Sequence, residues 1–596
     1  MTAQFVIGID LGTTNSVLAY SSLSGERPDI QLLPIPQLVS AGTIESSFSL
    51  PSFLYLAPEH ESASGGLDLP WQKGAQFGVG EFARRQSAEQ PQRTIAAAKS
   101  WLCHSRTDRH QPVLPWNAPT EVTKISPVSA AQRYLEHLVG AWNAAFPDAP
   151  LRDQHVVLTV PASFDAVARE LTREAALASG LPEDVVLFEE PQAAVYAWLT
   201  KAGDTWRRKL KLGDKLLVCD VGGGTTDLTL IRVEQEGGDL ILQRTAVGKH
   251  VLVGGDNMDL ALAHLVAGKL AEKGTKLNPW QSISLWHACR AAKEQLLVEK
   301  GPKQHTISIL GRGSKLIGGT QSIKVERSEV AQFLADGFFP DCTLNVRPAN
   351  RRQSGFQEIG LPYESDTAVT RHIAAFLTDH GDGGPERPTH ILFNGGVFKS
   401  SVLRERLLSV VRGWFDEKGT ATVLDADEDL DFAVARGAAY YAWSQKRGGV
   451  RIRGGTARSY YVGIETAGLA IPGAPRPLRA LCVVPFGMEE GTELDVPSGE
   501  IGLIHGELVQ FRFFSSATRK RDPVGEVLDS WNDEELVETN ALEATLPADE
   551  EIDESYVPVR LHSKISELGM FELWCVATRS SGRWKLEFSV RDEEGS

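Results

Sequence analysis

The sequence is poor in cysteine, has no surplus of basic residues and contains no long apolar run, and each shortage narrows what the chain can be. Six cysteines among 596 residues (Cys103, Cys219, Cys289, Cys342, Cys482, Cys575) form no CxxC pair, which argues against a thiolate zinc site or a disulfide framework and for reduced thiols. Lys+Arg number 61 against 77 Asp+Glu, a net charge of −16, so no broad nucleic-acid footprint is expected. No apolar run is long enough to span a bilayer, and the opening MTAQFVIGID has no basic segment ahead of an apolar one. No membrane contact and no secretory leader are therefore expected, and the expected location is cytoplasmic. An apolar fraction of 42% and a charged fraction of 23% are those of an ordinary globular chain, too long for one core. The length implies roughly three to four structural units.

What is present is a phrase used twice. Residues 7–16 read IGIDLGTTNS and residues 218–230 read VCDVGGGTTDLTL. In each, an apolar run ends on an aspartate, Asp10 or Asp220, turns through glycine and threonine, and leaves on another apolar run, which predicts strand, turn, strand. Either turn alone could be a plain tight hairpin. Two copies imply two lobes, and glycine backbones with threonine hydroxyls (Gly12, Thr13, Thr14, Asn15; Gly222, Gly223, Gly224, Thr225) can aim N–H and O–H donors into one concavity, as phosphate requires. Two aspartates facing across the cleft could hold Mg²⁺ through water.

Taken in order, residues 21–76 say little beyond a strand-like SFLYLA at 52–57. An alanine-rich segment after Pro91 carries Lys99, which by itself reads as a solvated helix charge. HVVLTVPA at 155–162 is a buried-type strand, followed by a helix over about 165–179 that stops at Gly180-Leu181-Pro182. The next strand delivers Glu189 and Glu190 ahead of Pro191 and an alanine-rich helix, an α/β alternation with two carboxylates placed to reach a cleft, although Glu189 could equally serve the helix dipole. Gly254 and Gly255 open another helix, Lys293 lies on a helix over 280–299, and ILFNGGVFKSS at 391–401 breaks on Gly395-Gly396 before Lys399. Residues 430–443 form a small-residue helix able to pack closely on a sheet. Residues 446–457, KRGGVRIRGGTA, read as a linker, and residues 458–596 are β-type, ending in a hairpin around Ser580-Ser581-Gly582. An acidic stretch at 529–554 reads as a solvated loop.

IGIDLGTTNS, CDVGGGTTDLTL, FEEPQAAVYAW and VGGDNMD, in that order and spacing, resemble the nucleotide-binding domain of the seventy-kilodalton heat-shock chaperones of DnaK type. The resemblance covers most of residues 4–443 and implies an actin-like two-lobed ATPase domain over 1–445, a linker over 446–457, and a β-sandwich-like, substrate-binding-like domain over 458–596, an α/β fold with a β-rich tail. It implies ATP or ADP with Mg²⁺ as ligands, with Asp10 and Asp220 holding the hydration shell of the ion and the two glycine turns cradling phosphate. Lys99 would neutralise charge at the γ-phosphate, and Glu190 with Asp220, Thr225 and Asp227 would position or activate the attacking water. Gly254, Gly255, Lys293, Gly395, Gly396 and Lys399 would contact the rest of the nucleotide.

Departures accompany the likeness. On the adenosine side Arg290, Glu294 and Leu297 replace a glutamate, an arginine and a serine of the family, and Lys399 replaces a base-stacking arginine, a poorer stacking group. The acidic, leucine-rich linker of the family is replaced by residues 446–457, Val186 stands at a basic J-domain contact, and 341–366 replaces an expected helix. The central groove pattern of the β-domain is thin and no helical lid follows it, so peptide held there should leave quickly. The implied function is a lid-lacking chaperone ATPase acting on unfolded or extended polypeptide, with J-domain and nucleotide-exchange partners in question. The alternative is a nucleotide-gated scaffold docking one dedicated protein. A small-molecule kinase of the same superfamily is disfavoured by Lys99 and by the β-domain.

Overall fold

A computed structural model describes residues 3–104, 107–116, 118–309, 321–349, 364–381, 383–415, 421–424, 430–448, 450, 452–456, 458–465, 477–489, 491–504, 508–532, 535–545, 556–566 and 570–588. The end of GIETAG at 466–468, the arginine-rich part of 341–366 at 350–353, and parts of the acidic stretch and of the closing strands lie outside the described residues.

Two sheets repeat one strand order. The first contains β1 (Phe5–Leu11), β2 (Asn15–Ser22), β3 (Gln31–Leu32), β4 (His155–Val160) and β5 (Val186–Glu189), in the order β5-β4-β1-β2-β3. The second contains β6 (Lys215–Val221), β7 (Thr226–Glu236), β8 (Asp239–Val247), β9 (His390–Asn394) and β10 (Thr422–Val423), in the order β10-β9-β6-β7-β8. In each, the opening strand runs antiparallel to its hairpin partner and parallel to the strand on its other side. The duplicated phrase is thus a duplicated topology. The strands FVIGIDL and KLLVCDV carry apolar residues at successive positions because both faces are covered, as in parallel-type sheets.

Each sheet has its own apolar core, and a third core joins them through the helices Glu190–Ala202 and Ala433–Arg447. The second helix is the small-residue segment expected near 430–443. A Cβ at Gly8 would stand 2.4 Å from the Ala435 carbonyl oxygen, and one at Gly437 would stand 1.8 Å from that of Ala193. Glycine at these two positions lets helix, strand and second helix touch backbone to backbone. Asp165 caps the helix Ala166–Ala178, accepting from the Ala168 N–H. Among the described residues no helix is long and apolar enough to cross a membrane.

Among the described residues beyond 458 every strand pairing is antiparallel, and the strands between Ser459–Glu465 and Arg583–Phe588 make one ten-stranded sheet with a larger apolar core and a smaller one around Tyr461, Cys482 and Phe514. Strand Phe571–Ala577 alternates buried and half-buried residues, and it pairs with Arg583–Phe588 across the expected hairpin. The acidic stretch departs from its reading as a loop. Val537–Thr545 is a strand paired with Leu508–Ser516, because Leu542 and Ala544 are buried while Glu538 receives a forked pair from Arg512 at 2.6 and 2.8 Å.

The linker segment is also more structured than its glycines suggest. Lys446 and Arg447 complete the helix Ala433–Arg447, and Ile452–Arg453 adds to the second sheet as a strand parallel to β8. The Ile452 N–H donates to the Tyr196 hydroxyl at 2.9 Å. The fully buried Arg244 on β8 pairs with Glu189 and donates to the carbonyls of Gly454 (3.1 Å) and Gly455. Glu189 also takes Arg169 at 3.0 Å. Burial alone would raise the Glu189 pKa, and the two guanidiniums bring it below the usual carboxylate range. Gly455, at φ +55, leaves no room for a side chain, since a Cβ would sit 2.2 Å from the Gly487 carbonyl oxygen of the β-domain. Lys520 of that domain donates to the Thr245 carbonyl at 2.7 Å, so the β-domain seats against both the segment and β8.

Arg244→Ala would strand Glu189 beside a single remaining arginine and should cost about 3–5 kcal/mol, the usual penalty for breaking a buried pair. Hydrogen exchange should then show amides 452–456 losing protection while the cores of the two sheets keep theirs. Unchanged protection of that segment would mean that strand pairing holds it without Arg244.

Candidate functional site

Between the two sheets lies a cleft of about 380 Å³, within the range of small-ligand sites. The hairpin turns after β1 and β6 form its walls. Of the residues singled out from sequence, Asp10, Gly12, Thr13, Thr14, Asn15, Lys99, Glu190, Asp220, Gly222, Gly223, Thr225, Gly255, Lys293, Gly395, Gly396 and Lys399 line it. Gly224, Gly254 and Asp227 do not, and each has a packing reason.

Gly224 faces Ser100 and Thr13. Gly254 backs the second turn: a Cβ there would fall 2.5 Å from the Gly223 carbonyl oxygen, and the next two amides donate to that turn, Gly255 to the Gly222 carbonyl (3.0 Å) and Asp256 to that of Gly223 (2.7 Å). The turn is thereby stapled to the start of helix Gly255–Glu272. Asp227 lies directly opposite Asp220 in the β6–β7 register and is buried, accepting from the Ser163 hydroxyl at 2.5 Å.

Close approach shapes the cradle as well. A Cβ at Gly223 would sit 1.9 Å from the Thr14 hydroxyl of the opposite hairpin, so the two turns meet only because glycine stands there. Lys99 comes from the four-residue helix Ala98–Trp101, whose preceding residue, Ala97, takes φ +54. A left-handed alanine costs roughly 1–2 kcal/mol, a strain of the kind that collects at functional sites. Lys99 is buried and ion-paired with Glu190. The two adjacent glutamates do not both reach the cleft: Glu190 does, whereas Glu189 points to Arg169 and Arg244.

Four carboxylates, the buried Asp220 and Asp227 and the partly buried Asp10 and Glu190, thus gather near one ammonium. Burial, then the negative charge of Glu190, pushes the Asp10 pKa up to about 7. The same two causes, in the same order, raise Asp220 well above its ordinary value even though the Asn394 amide donates to it at 2.7 Å. Burial would lower the Lys99 pKa, but Glu190 and Asp10 carry it higher than usual. This surplus of negative charge fits a cation. Asp10 and Asp220, one at the end of each opening strand, are the cleft carboxylates that could hold a hydrated divalent cation through its water.

The remaining lining is of another kind. Leu297, Val298, Leu403, Leu430 and Val434 supply apolar surface. Lys293 donates to the Gly255 carbonyl at 2.9 Å and pairs with Asp259 at 2.7 Å. Lys399 is tied to Asp431. Sequence reasoning registered Arg290 only as a departure, yet it pairs with Asp256 and Asp259, and its guanidinium lies 5.5 Å from the Trp286 ring centre and 5.8 Å from that of Phe53. Its position three residues before Lys293, on the same helical face, was the available signal. Asn394, missed too, directly precedes the Gly395-Gly396 break.

The family model described as Hsp70 protein matches residues 71–347. The chain is 28% identical over 304 residues to the chaperone protein DnaK of Thermotoga petrophila, covering 51% of this chain and 42% of that protein. It is 29% identical over 301 residues to the chaperone protein HscA of Pectobacterium carotovorum, covering 48% and 41%, and 28% identical over 295 residues to the HscA homologue of Shewanella woodyi, covering 47% and 38%. It therefore spans about two fifths of the length of these curated relatives. Together with the paired hairpins and their shared cleft, these matches make the chain similar to the Hsp70 protein family over residues 71–347.

Proposed function

We propose that the cleft binds ATP with Mg²⁺ and hydrolyses it slowly, and that the C-terminal β-domain engages unfolded or extended polypeptide, a chaperone-type ATPase working in the reducing cytoplasm. The observation that carries this reading is the convergence of two aspartate-entered glycine turns on the buried Lys99–Glu190 pair. The turn amides and the hydroxyls of Thr13, Thr14 and Thr225 would take the β- and γ-phosphates. Asp10 and Asp220 would hold the hydrated ion, which when bound offsets phosphate charge. Glu190, held by Lys99, would orient the attacking water. The water oxygen bonds to the γ-phosphorus and the bridging bond to ADP breaks, its electron pair leaving with ADP, while the water proton passes to a facing carboxylate. Lys99 neutralises the transferring group, so that positioning and charge do most of the catalysis. The apolar lining from Leu297 to Val434 would take the base.

Lys99→Ala should lower turnover on the order of 100-fold or more while ATP still binds; unchanged turnover would remove Lys99 from the mechanism. Asp220→Asn should weaken nucleotide binding in the presence of Mg²⁺, and titrations giving equal affinity with and without the ion for the unmodified chain would refute the two-aspartate site. An excess of reduced, unfolded polypeptide should speed steady-state hydrolysis. Slow hydrolysis indifferent to polypeptide would favour the dedicated-partner scaffold instead.

A further inference from the structure

Each sheet sets an uncharged donor beside its cleft aspartate, and in both it stands at the same place. In the first sheet Asp10 registers with Thr159 of β4, its parallel neighbour, and in the second Asp220 registers with Asn394 of β9. Registered residues on neighbouring strands leave the sheet on one face, so each donor lies alongside its carboxylate. The Thr159 hydroxyl donates to Oδ1 of Asp10 at 3.3 Å, and Nδ2 of Asn394 donates to Oδ2 of Asp220 at 2.7 Å. A carboxylate only accepts, which fixes the direction of both bonds and turns the nitrogen of the Asn394 amide, not its oxygen, toward Asp220. Both donors are buried.

The other flank of each aspartate explains why the two donors differ. Across its hairpin Asp10 faces the apolar Val17, whereas Asp220 faces Asp227, a second carboxylate. Like charges directly opposite repel, so Asp220 needs the firmer hold. It has one: the amide bond is the shorter of the two, and Oδ1 of Asp220 rests against Gly395, where a Cβ would stand 2.7 Å from it. Packing alone does not call for asparagine at 394. Its own Oδ1 is buried with no partner among the described residues, an orphan that a leucine of similar volume would not create. What the amide supplies is a donor for Asp220.

Resting on the cation reading above, we infer that Thr159 and Asn394 are matched positioning residues, one in each lobe, which hold Asp10 and Asp220 in the orientation that takes a hydrated divalent cation. They act through the two carboxylates. The terminal torsion of an aspartate is broad, so a carboxylate without its donor turns freely and must be ordered by the ion as it binds, which weakens the binding.

The test is the ADP affinity of the full chain, measured by titration calorimetry with and without Mg²⁺, for the unmodified chain, Asn394→Leu, Thr159→Val and Thr159→Ser. The quantity read is the factor by which the ion tightens ADP binding. Asn394→Leu should cut that factor roughly tenfold, the loss expected for one hydrogen bond to a charged group, and Thr159→Val should cut it by less because its bond is longer. ADP affinity without the ion should stay at the unmodified value, and Thr159→Ser, which keeps the hydroxyl, should keep the full factor. An unchanged factor in Asn394→Leu or Thr159→Val, or an ADP affinity that falls equally with and without Mg²⁺, would overturn the inference. Should Asn394→Leu fail to fold, the contrast between Thr159→Val and Thr159→Ser decides. An unmodified chain whose ADP affinity ignores Mg²⁺ would instead overturn the two-aspartate site of the proposed function, a result that needs none of the variants.

Discussion

The peptide bond between Glu189 and Glu190 joins two carboxylates that must face opposite ways. At the end of β5, successive side chains leave the sheet on opposite faces. One glutamate is delivered to Lys99 in the cleft and the other to Arg244 and Arg169 outside it. Neither can be buried without its cation, and each cation belongs to a different part of the chain: Lys99 to a short helix beside the first sheet, Arg244 to the edge of the second. Arg244 in turn holds the linker segment through the carbonyls of Gly454 and Gly455. Much of the interdomain arrangement comes from satisfying these two adjacent charges.

The cleft is a second case of opposed demands. Crowding four carboxylates, two of them buried, around one ammonium is unfavourable for their charged forms, in keeping with the raised pKa of Asp10. In the proposed reading, a cation bound beside the phosphates would relieve that cost. A site balanced in this way is stabilised by its own ligand, in proportion to how poorly its charges fare alone.

Much of this could be read from sequence, and the unread part has a common cause. Repeated phrases around Asp10 and Asp220 carry their strand ends and turns within a dozen residues, so the duplicated hairpins were visible. Lys99 was visible only through resemblance, because its partner Glu190 lies 91 residues away. The pairing of Ile452–Arg453 with β8 spans some two hundred residues, and a glycine-rich segment gives no local sign of such a partner. Val537–Thr545 looked like solvated loop because its glutamates hide the alternation of Leu542 and Ala544. Asp227 belongs to the motif but stands behind it: in an antiparallel pair the register decides which carboxylate is in front, and composition does not record register.

The close packing of helix Ala433–Arg447 on β1 bears on how the chain is made. Gly8 leaves the ribosome early, whereas the helix that covers it is complete only at residue 447. At synthesis rates of roughly 5–20 residues per second, that face of the first sheet waits about 20–90 s for its cover. The first lobe can gather its own core around β1, β4 and β5 meanwhile, but the third core, shared by both sheets, waits for the helix Ala433–Arg447. A nascent chain of this protein therefore carries an open apolar seam along its first sheet until that helix has been made.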